Sequence, residues 1–419
     1  MAGKHLRIAM LSYHTCPLAI LGGKDTGGMN VYVRDLTRHL AEMGIQVDVF
    51  TRSQDEHVPH VVHSLGYGSR VVHVPAGPEI PLSKKLLAEH IPQFVEYILD
   101  FAKRRNFKYD LIHSHYWMSG IGGKHLKAAW GVPMVHMFHT LGLMKNRIAG
   151  EGEYEGDYRI RGELEVLRSA DKIVAATPAE LAQLQWLYEV KTTHVEVIPL
   201  GVNLRRFYPI PKADAKEFLG QNAQEKMILF VGRIEPLKGI DTLLKACVQL
   251  KEMGLFERNN ICVSIIGGDA AESEEELSHE MARLQRMSRD LGLDEVVSFL
   301  GKRSQEVLPY YYSAAEVVVV PSHYESFGMV ALEAMACGIP VVASQVGGLN
   351  YLVQDGETGY HVPDRDEKAL SLRLVKLLED EEEHKRMGEN AAEFAKNYNW
   401  EIIAGQIIQL YQQVAQPHK

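Results

Sequence analysis

Met227-Ile228-Leu229-Phe230-Val231, followed by Gly232-Arg233-Ile234-Glu235-Pro236-Leu237-Lys238, is an unbroken apolar run that ends in a loop bearing two fixed cations, Arg233 and Lys238. A short apolar run closed by glycine and proline reads as a buried strand, and a strand end that delivers positive charge into a loop suits a diphosphate. About ninety residues on, Glu325-Ser326-Phe327-Gly328-Met329-Val330-Ala331-Leu332-Glu333 sets two carboxylates eight residues apart, around a stretch that reads as a loop running into a helix. The first N–H groups of a helix have no partner within it, so backbone donors sit between the two acids. Cations for a diphosphate and acids for hydroxyls together describe a nucleotide-sugar site.

Outward from these loops, apolar β-branched runs alternate with segments of helical period, the pattern of parallel βαβ units. The runs are 6–11, 47–50, 111–113, 134–136 and 172–176 in the first half, and 227–231, 262–266, 296–299, 317–320 and 341–343 in the second. The expectation is an α/β protein with two doubly wound, Rossmann-like domains. The join is expected near Ile198-Pro199-Leu200-Gly201-Val202-Asn203, giving domains 1–203 and 204–395 and a C-terminal helix, 396–419, that packs back on the first. In that helix Ile402, Ile403, Ile407, Ile408 and Tyr411 recur at helical spacing, while the charged run 381–386 reads as a solvated face.

A chain of 419 residues exceeds what one hydrophobic core usually organises. No apolar run approaches the ~20 residues of a membrane span, and the first residues lack a signal-peptide core, so a cytoplasmic protein is expected. The net charge of −9 argues against nucleic acid or an anionic membrane as partner. Cys16, Cys247, Cys262 and Cys337 lie far apart without metal-ligand spacing and read as buried free thiols.

Ligands of parallel α/β sheets bind beyond the carboxyl ends of the strands. After the first run comes Leu21-Gly22-Gly23-Lys24-Asp25-Thr26-Gly27-Gly28-Met29-Asn30, then a helix expected over about 31–43. Glycines before a helix N-terminus let backbone amides approach an anion, but the spacing matches neither the P-loop nor the dinucleotide fingerprint. His113-Ser114-His115-Tyr116-Trp117 and His136-Met137-Phe138-His139-Thr140-Leu141 put polar groups just past two further strands. No carboxylate or cysteine shares the histidines' spacing, so no metal is expected there. Asp364-Arg365-Asp366, after Pro363, reads as a solvated turn away from the site.

These residues resemble the retaining glycosyltransferases of family 4, whose fold, GT-B, has two Rossmann-like domains facing across a cleft. The resemblance spans Gly27 to Val33, His113 to Trp117, His139-Thr140-Leu141, Gly232-Arg233 with Lys238, the Glu325–Glu333 pair, and Pro340 to Ala343 with Gly347-Gly348. Within the family it looks most similar to the inositol-phosphate glycosyltransferases, with sucrose-phosphate synthases next.

The resemblance implies a retaining, metal-independent hexosyltransferase without a cofactor, taking a nucleotide-sugar donor, UDP-linked by preference, and a small phosphorylated sugar or polyol acceptor. It assigns the diphosphate to Arg233 and Lys238, ribose hydroxyls to Glu333, and sugar hydroxyls to Glu325 and the amides of Phe327, Gly328 and Met329. Gly28 would offer its amide to the phosphates, and His139 would contact the donor sugar. The acceptor would meet Asn30, Lys84, Tyr116, Thr140 and Arg159, the last four at its phosphate. Lys85 competes with Lys84, and Arg161 with Arg159; Arg159 and Lys84 could instead pair with acids such as Glu153 and Glu163. A GT-B sugar-nucleotide 2-epimerase would share fold and donor but not the full set of Arg233, Lys238, Glu325 and Glu333.

Overall fold

The computed structural model describes residues 6–19, 27–148, 154–268 and 279–415. Gly28–Gly201, with the residues up to Ala19 and the stretch from Trp400, form one compact unit, and Val202–Asn399 form another. The first is built on a sheet of β1 (Arg7–Leu11), β2 (Gln46–Arg52), β3 (Val61–Val62), β4 (Arg70–Val74), β5 (Leu111–His115), β6 (Met134–Met137), β7 (Lys172–Ala175) and β8 (Val195–Val197). The second is built on β9 (Lys226–Val231), β10 (Ile261–Ile266), β11 (Val297–Gly301), β12 (Ala315–Val320), β13 (Val341–Ser344) and β14 (Gly359–Val362).

The strand orders are β3-β4-β2-β1-β5-β6-β7-β8 and β11-β10-β9-β12-β13-β14. All pairings among the described strands are parallel except β3 with β4. Each sheet therefore reverses winding direction once, between β1 and β5 and between β9 and β12. At such a reversal the loops leaving two adjacent strands diverge and open a crevice. Helices cover both faces of a parallel sheet, which is why the central strands are apolar throughout: in β12, Val317, Val318, Val319 and Val320 are all buried.

The strands that the apolar pattern did not reveal are β3, β4, β8 and β14. In β4 the reason is plain. Arg70 and His73 interrupt the run, yet every residue is buried, because the Arg70 guanidinium pairs with Asp48 of β2 and the His73 ring meets the Pro59 carbonyl at 2.8 Å.

The helix Trp400–Val414 belongs to the first unit, whereas residues 396–399, expected with it, fall in the second. Trp400 is fully buried, its ring 5.5 Å from Tyr32 and stacked 5.8 Å from His39. A Cβ on Gly201 would lie 2.5 Å from the Trp400 ring, so only glycine lets the chain pass there. Ile403, Ile407 and Tyr411 are buried, and Ile402 faces solvent.

Two other readings gain detail. The run 381–386 opens the helix Glu381–Ala395 and is largely solvated, with Glu381, Glu382, Lys385 and Arg386 exposed; Asp380 caps the Glu383 amide at 2.9 Å, Glu383 takes the Tyr360 hydroxyl at 2.5 Å, and His384 reaches the Glu316 carbonyl at 2.7 Å. All four cysteines are free, but only Cys247 and Cys337 are buried; Cys16 and Cys262 are half-buried.

Candidate functional site

In the second unit, the loops leaving β9 and β12 flank the sheet reversal. Gly239 has φ +65°, and a Cβ there would sit 1.9 Å from the Pro321 carbonyl oxygen, so glycine is what lets the β9 loop close against the β12 loop. His323 continues the contact by donating its backbone N–H to the Leu237 carbonyl at 2.9 Å. The consequence is an ion pair between residues far apart in sequence: Lys238 Nζ lies 2.6 Å from Glu325 Oε2. Arg233 pairs with Glu235 at 2.6 Å and stays half-exposed.

Beyond Glu325 the chain passes buried Phe327 and turns into the helix Met329–Ala336 at Gly328, whose φ is +107°. The helix starts at Met329, so the amides of its first turn are those a helix leaves without internal partners. The Glu325 carbonyl accepts the Gly348 amide at 2.8 Å, and a Cβ on Gly347 would lie 2.0 Å from the same oxygen. Glu333, one turn into the helix, is buried rather than on the helix surface, and its Oε2 accepts the Tyr312 hydroxyl at 2.8 Å. Burial and this carboxylate hold the Tyr312 hydroxyl pKa well above its ordinary value.

Asp364-Arg365-Asp366 is a solvated turn, with Asp364 and Arg365 exposed, but it is joined to these loops rather than apart from them. Asp366 caps the helix Glu367–Glu379 through the Ala369 amide at 2.8 Å, and Asp364 meets His323 Nδ1 at 2.7 Å.

In the first unit the reversal lies between β1 and β5. Two non-glycine residues with positive φ stand at strand ends, Tyr116 (+71°) after β5 and His139 (+62°) after β6, a strained geometry that functional sites often hold. His139 Nε2 is 3.1 Å from His115 Nδ1, and Tyr32 packs edge-on against both rings. Burial, then the neighbouring His113, holds His139 below the usual histidine range, and burial alone brings His113 to about 3. These rings are neutral near pH 7. Among the described residues no group of three or more His, Cys, Asp or Glu is arranged to hold a metal ion.

Arg159, on the helix Asp157–Ser169, is 1% exposed and uses every face of its guanidinium. Nε donates to Glu163 Oε1 at 2.9 Å, Nη2 donates to the carbonyl and hydroxyl of Thr140 at 3.0 Å each, and Nη1 pairs with Glu155. Its plane lies 5.1 Å over the Tyr116 ring. Burial alone would lower the Arg159 pKa, but Tyr116, Glu163 and Glu155 raise it. Glu163 is no surface acid: fully buried, it also accepts the Gly142 amide at 3.0 Å and the Tyr188 hydroxyl. Glu153 lies outside the described residues.

Lys84 opens the helix Lys84–Glu89, which is tied down where Tyr13 donates its hydroxyl to the Leu87 carbonyl at 2.6 Å. The preceding loop is held by buried Arg52, whose Nε and Nη1 donate to the carbonyls of Ala76 and Ile80. Lys84 acts electrostatically on Tyr116, Lys145 and Glu155, whereas Lys85 and Arg161 point to solvent. The neighbours thus separate by burial.

Asn30 is buried in the helix Gly28–Glu42 and donates to Thr15 Oγ1 and the Cys16 carbonyl, fixing the loop after β1. Gly28 begins that helix three residues earlier than the sequence suggested; residues 20–26 of the glycine loop lie outside the described set. The sequence reading missed Lys145, Glu155, Tyr188 and Tyr312, and it named Glu163 only as a surface partner for Arg159. Only the i, i+4 spacing of Glu155, Arg159 and Glu163 signalled a network.

Residues 26–206 match the family described as Glycosyltransferase Family 4, and 211–394 the family described as Glycosyl transferases group 1. A D-inositol 3-phosphate glycosyltransferase 2 of Catenulispora acidiphila is 40% identical over 407 residues, 97% of this chain and 94% of that protein. A solved sucrose-phosphate synthase of Thermosynechococcus elongatus is 37% identical with TM-score 0.88, covering 97% of this chain and 98% of that one. Anabaena HepE, solved with UDP-glucose, shares the fold at TM-score 0.74 and 21% identity, over 98% and 100% of the chains. With two doubly wound sheets, two cations and a carboxylate pair at the reversal of the second, and relatives matched along nearly its whole length, this chain belongs to the family 4 glycosyltransferases of GT-B fold, hexosyltransferases that use nucleotide-sugar donors.

Proposed function

We propose that the chain transfers a hexosyl group, with retention and without a metal ion, from a UDP-sugar to a small phosphorylated polyol, with inositol phosphate as the leading acceptor. The observation that carries the acceptor half is the buried Arg159, bonded to Thr140, lying over the Tyr116 ring and beside the groups on which Lys84 acts. Such a cluster of cationic groups in an acidic protein suits an anionic small ligand. Among curated relatives, D-inositol 3-phosphate glycosyltransferases at about 40% identity favour the polyol.

In this reading the acceptor hydroxyl bonds to the anomeric carbon as the bond to the diphosphate breaks, and its proton passes to a phosphate oxygen of the leaving group. Arg233 and Lys238 offset the charge that grows on the diphosphate, which supplies what a metal would otherwise supply. Glu325, steadied by Lys238, and the first amides of the helix Met329–Ala336 orient the sugar hydroxyls. Glu333, fixed by Tyr312, takes the ribose hydroxyls. Gly28 offers its amide to the phosphates, and neutral His139 contacts the sugar. Asn30 reaches the acceptor through the loop it holds.

A second reading, glucosyl transfer to fructose 6-phosphate, is favoured by the sucrose-phosphate synthase likeness. The deciding experiment is nucleoside diphosphate release from UDP-glucose and UDP-N-acetylglucosamine against inositol phosphate, fructose 6-phosphate and their unphosphorylated forms. Turnover with inositol phosphate alone supports the first reading and with fructose 6-phosphate alone the second. Equal turnover of unphosphorylated acceptors removes both, and a change of donor configuration without acceptor would instead point to an epimerase.

A further inference from the structure

The acceptor-side cations already share an anion supplied by the protein. Glu155 pairs with Arg159 Nη1, and its Oε1 lies 3.1 Å from Lys145 Nζ. Lys84 acts on it as well, and together these cations hold the Glu155 carboxyl below the usual carboxylate range although burial alone would raise it. Burial and the nearby Arg159 in turn lower the pKa of Lys145, so the cations crowd one another and each depends on Glu155 for relief.

The donors of Arg159 divide cleanly. Nε and Nη2 are committed to buried Glu163 and to Thr140, contacts within the fold. Nη1 alone turns to Glu155, whose side chain is 17% exposed and lies on an irregular segment rather than inside a helix. The backbone of that segment is pinned independently of the carboxylate: the Glu155 amide donates to Asn146 Oδ1 at 2.6 Å, and Asn146 Nδ2 donates to the Glu155 carbonyl at 3.1 Å. The side chain can thus rotate toward solvent while the loop stays in register. Lys145 rides on the same helix as Asn146, Gly142–Ile148, and faces the same carboxylate.

We propose that Glu155 is an exchangeable internal anion: its carboxylate holds Lys145 and Arg159 together and gives way to the acceptor's phosphate, which takes the same donors, with Lys145 as a further phosphate ligand. This rests on the phosphorylated-acceptor reading above. The exchange makes Glu155 a specificity-determining residue. A phosphomonoester carries about −1.5 to −2 charge near neutral pH, so it can replace one carboxylate and leave the cations better compensated. A neutral polyol brings no charge and cannot displace Glu155, whereas a monocarboxylate gains nothing over the group already there.

Glu155→Gln keeps the shape and removes the competitor. The expected result is a fall of about tenfold in KM for the phosphorylated acceptor, with the change confined to KM, and a similar tightening of inorganic phosphate measured by calorimetry on the full-length protein. Lys145→Met is expected to raise the same KM and weaken phosphate binding at least tenfold, and to cancel most of the gain when combined with Glu155→Gln. An unchanged or raised KM in Glu155→Gln, or equal phosphate affinity in wild type and variant, overturns the exchange. Thermal melting of each variant shows whether it is folded. If no phosphorylated acceptor is turned over, the functional reading falls, while the phosphate titration still decides: tighter binding by Glu155→Gln upholds the exchange, and no phosphate binding by either form removes it.

Discussion

Lys238 and Glu325 meet at 2.6 Å with 19% and 18% of their side chains exposed, whereas Arg159 and Glu163 meet at 2.9 Å with 1% and 0% exposed. Both pairs set a cation against a carboxylate, and in the proposed reading both cations meet phosphate, but they lie in different dielectric surroundings. At the β9 and β12 loops the partners are partly hydrated, so a diphosphate can recruit Lys238 with little penalty to the fold. Beside β5 and β6 the guanidinium is part of the interior, and its loss would strand a buried carboxylate. The same recognition chemistry is therefore separable from stability in one unit and bound up with it in the other.

Removing each cation should break the comparison if it is wrong. Arg159→Ala is expected to lower stability by roughly 3–5 kcal/mol, because it leaves the buried Glu163 carboxyl without its ion-pair partner. Denaturant unfolding checks this, and a loss below about 1 kcal/mol would mean that the buried pair is not structural. Lys238→Ala should lower kcat by roughly 10²–10³-fold through lost stabilisation of the leaving diphosphate, with stability changed by less than about 1 kcal/mol. A parallel drop in both quantities would erase the contrast.

Gly239→Ala sharpens it from the backbone side. The variant must adopt φ +65° with a Cβ against the Pro321 carbonyl, so a loss of roughly 2 kcal/mol and weaker donor binding are expected. Donor titration together with unfolding would show whether loop closure, rather than charge alone, carries the site.

Acid should weaken the first unit through its buried histidines. For His113 the unfolded ring takes up a proton below about 6.5 and the folded ring only near 3, so its contribution is present above pH 6.5 and lost as pH falls from there. The slope is at most about 1.4 kcal/mol per pH unit per histidine. Stability measured at several pH values between 7.5 and 4.5 should decline toward acid, less so in His113→Gln; a flat profile in the native protein would contradict the burial argument. Tyr312→Phe is the mildest change, expected to cost about 1–2 kcal/mol and to raise the donor KM a few-fold by freeing Glu333.

The part of this legible in the sequence followed from local physics. Parallel strands buried on both faces must be apolar, so ten runs such as 227–231 and 317–320 announced the two sheets, and the end of the run 227–231 placed Arg233 and Lys238 in a loop without reference to anything distant. β4 stayed hidden because Arg70 finds Asp48 only once β2 lies beside it. The acceptor residues came from resemblance alone, since nothing local distinguishes Lys84 from Lys85 or Arg159 from Arg161.

The sequence by itself determined the fold class and its two parallel-sheet units, because hydrophobic periodicity and turn chemistry act over a few residues. Tertiary structure decided which of two neighbouring arginines is buried, that Asp364 meets His323, and that Glu155 pairs with both Arg159 and Lys145. Those outcomes depend on desolvation and on charges brought close from separate elements, and both exist only after the sheets have assembled.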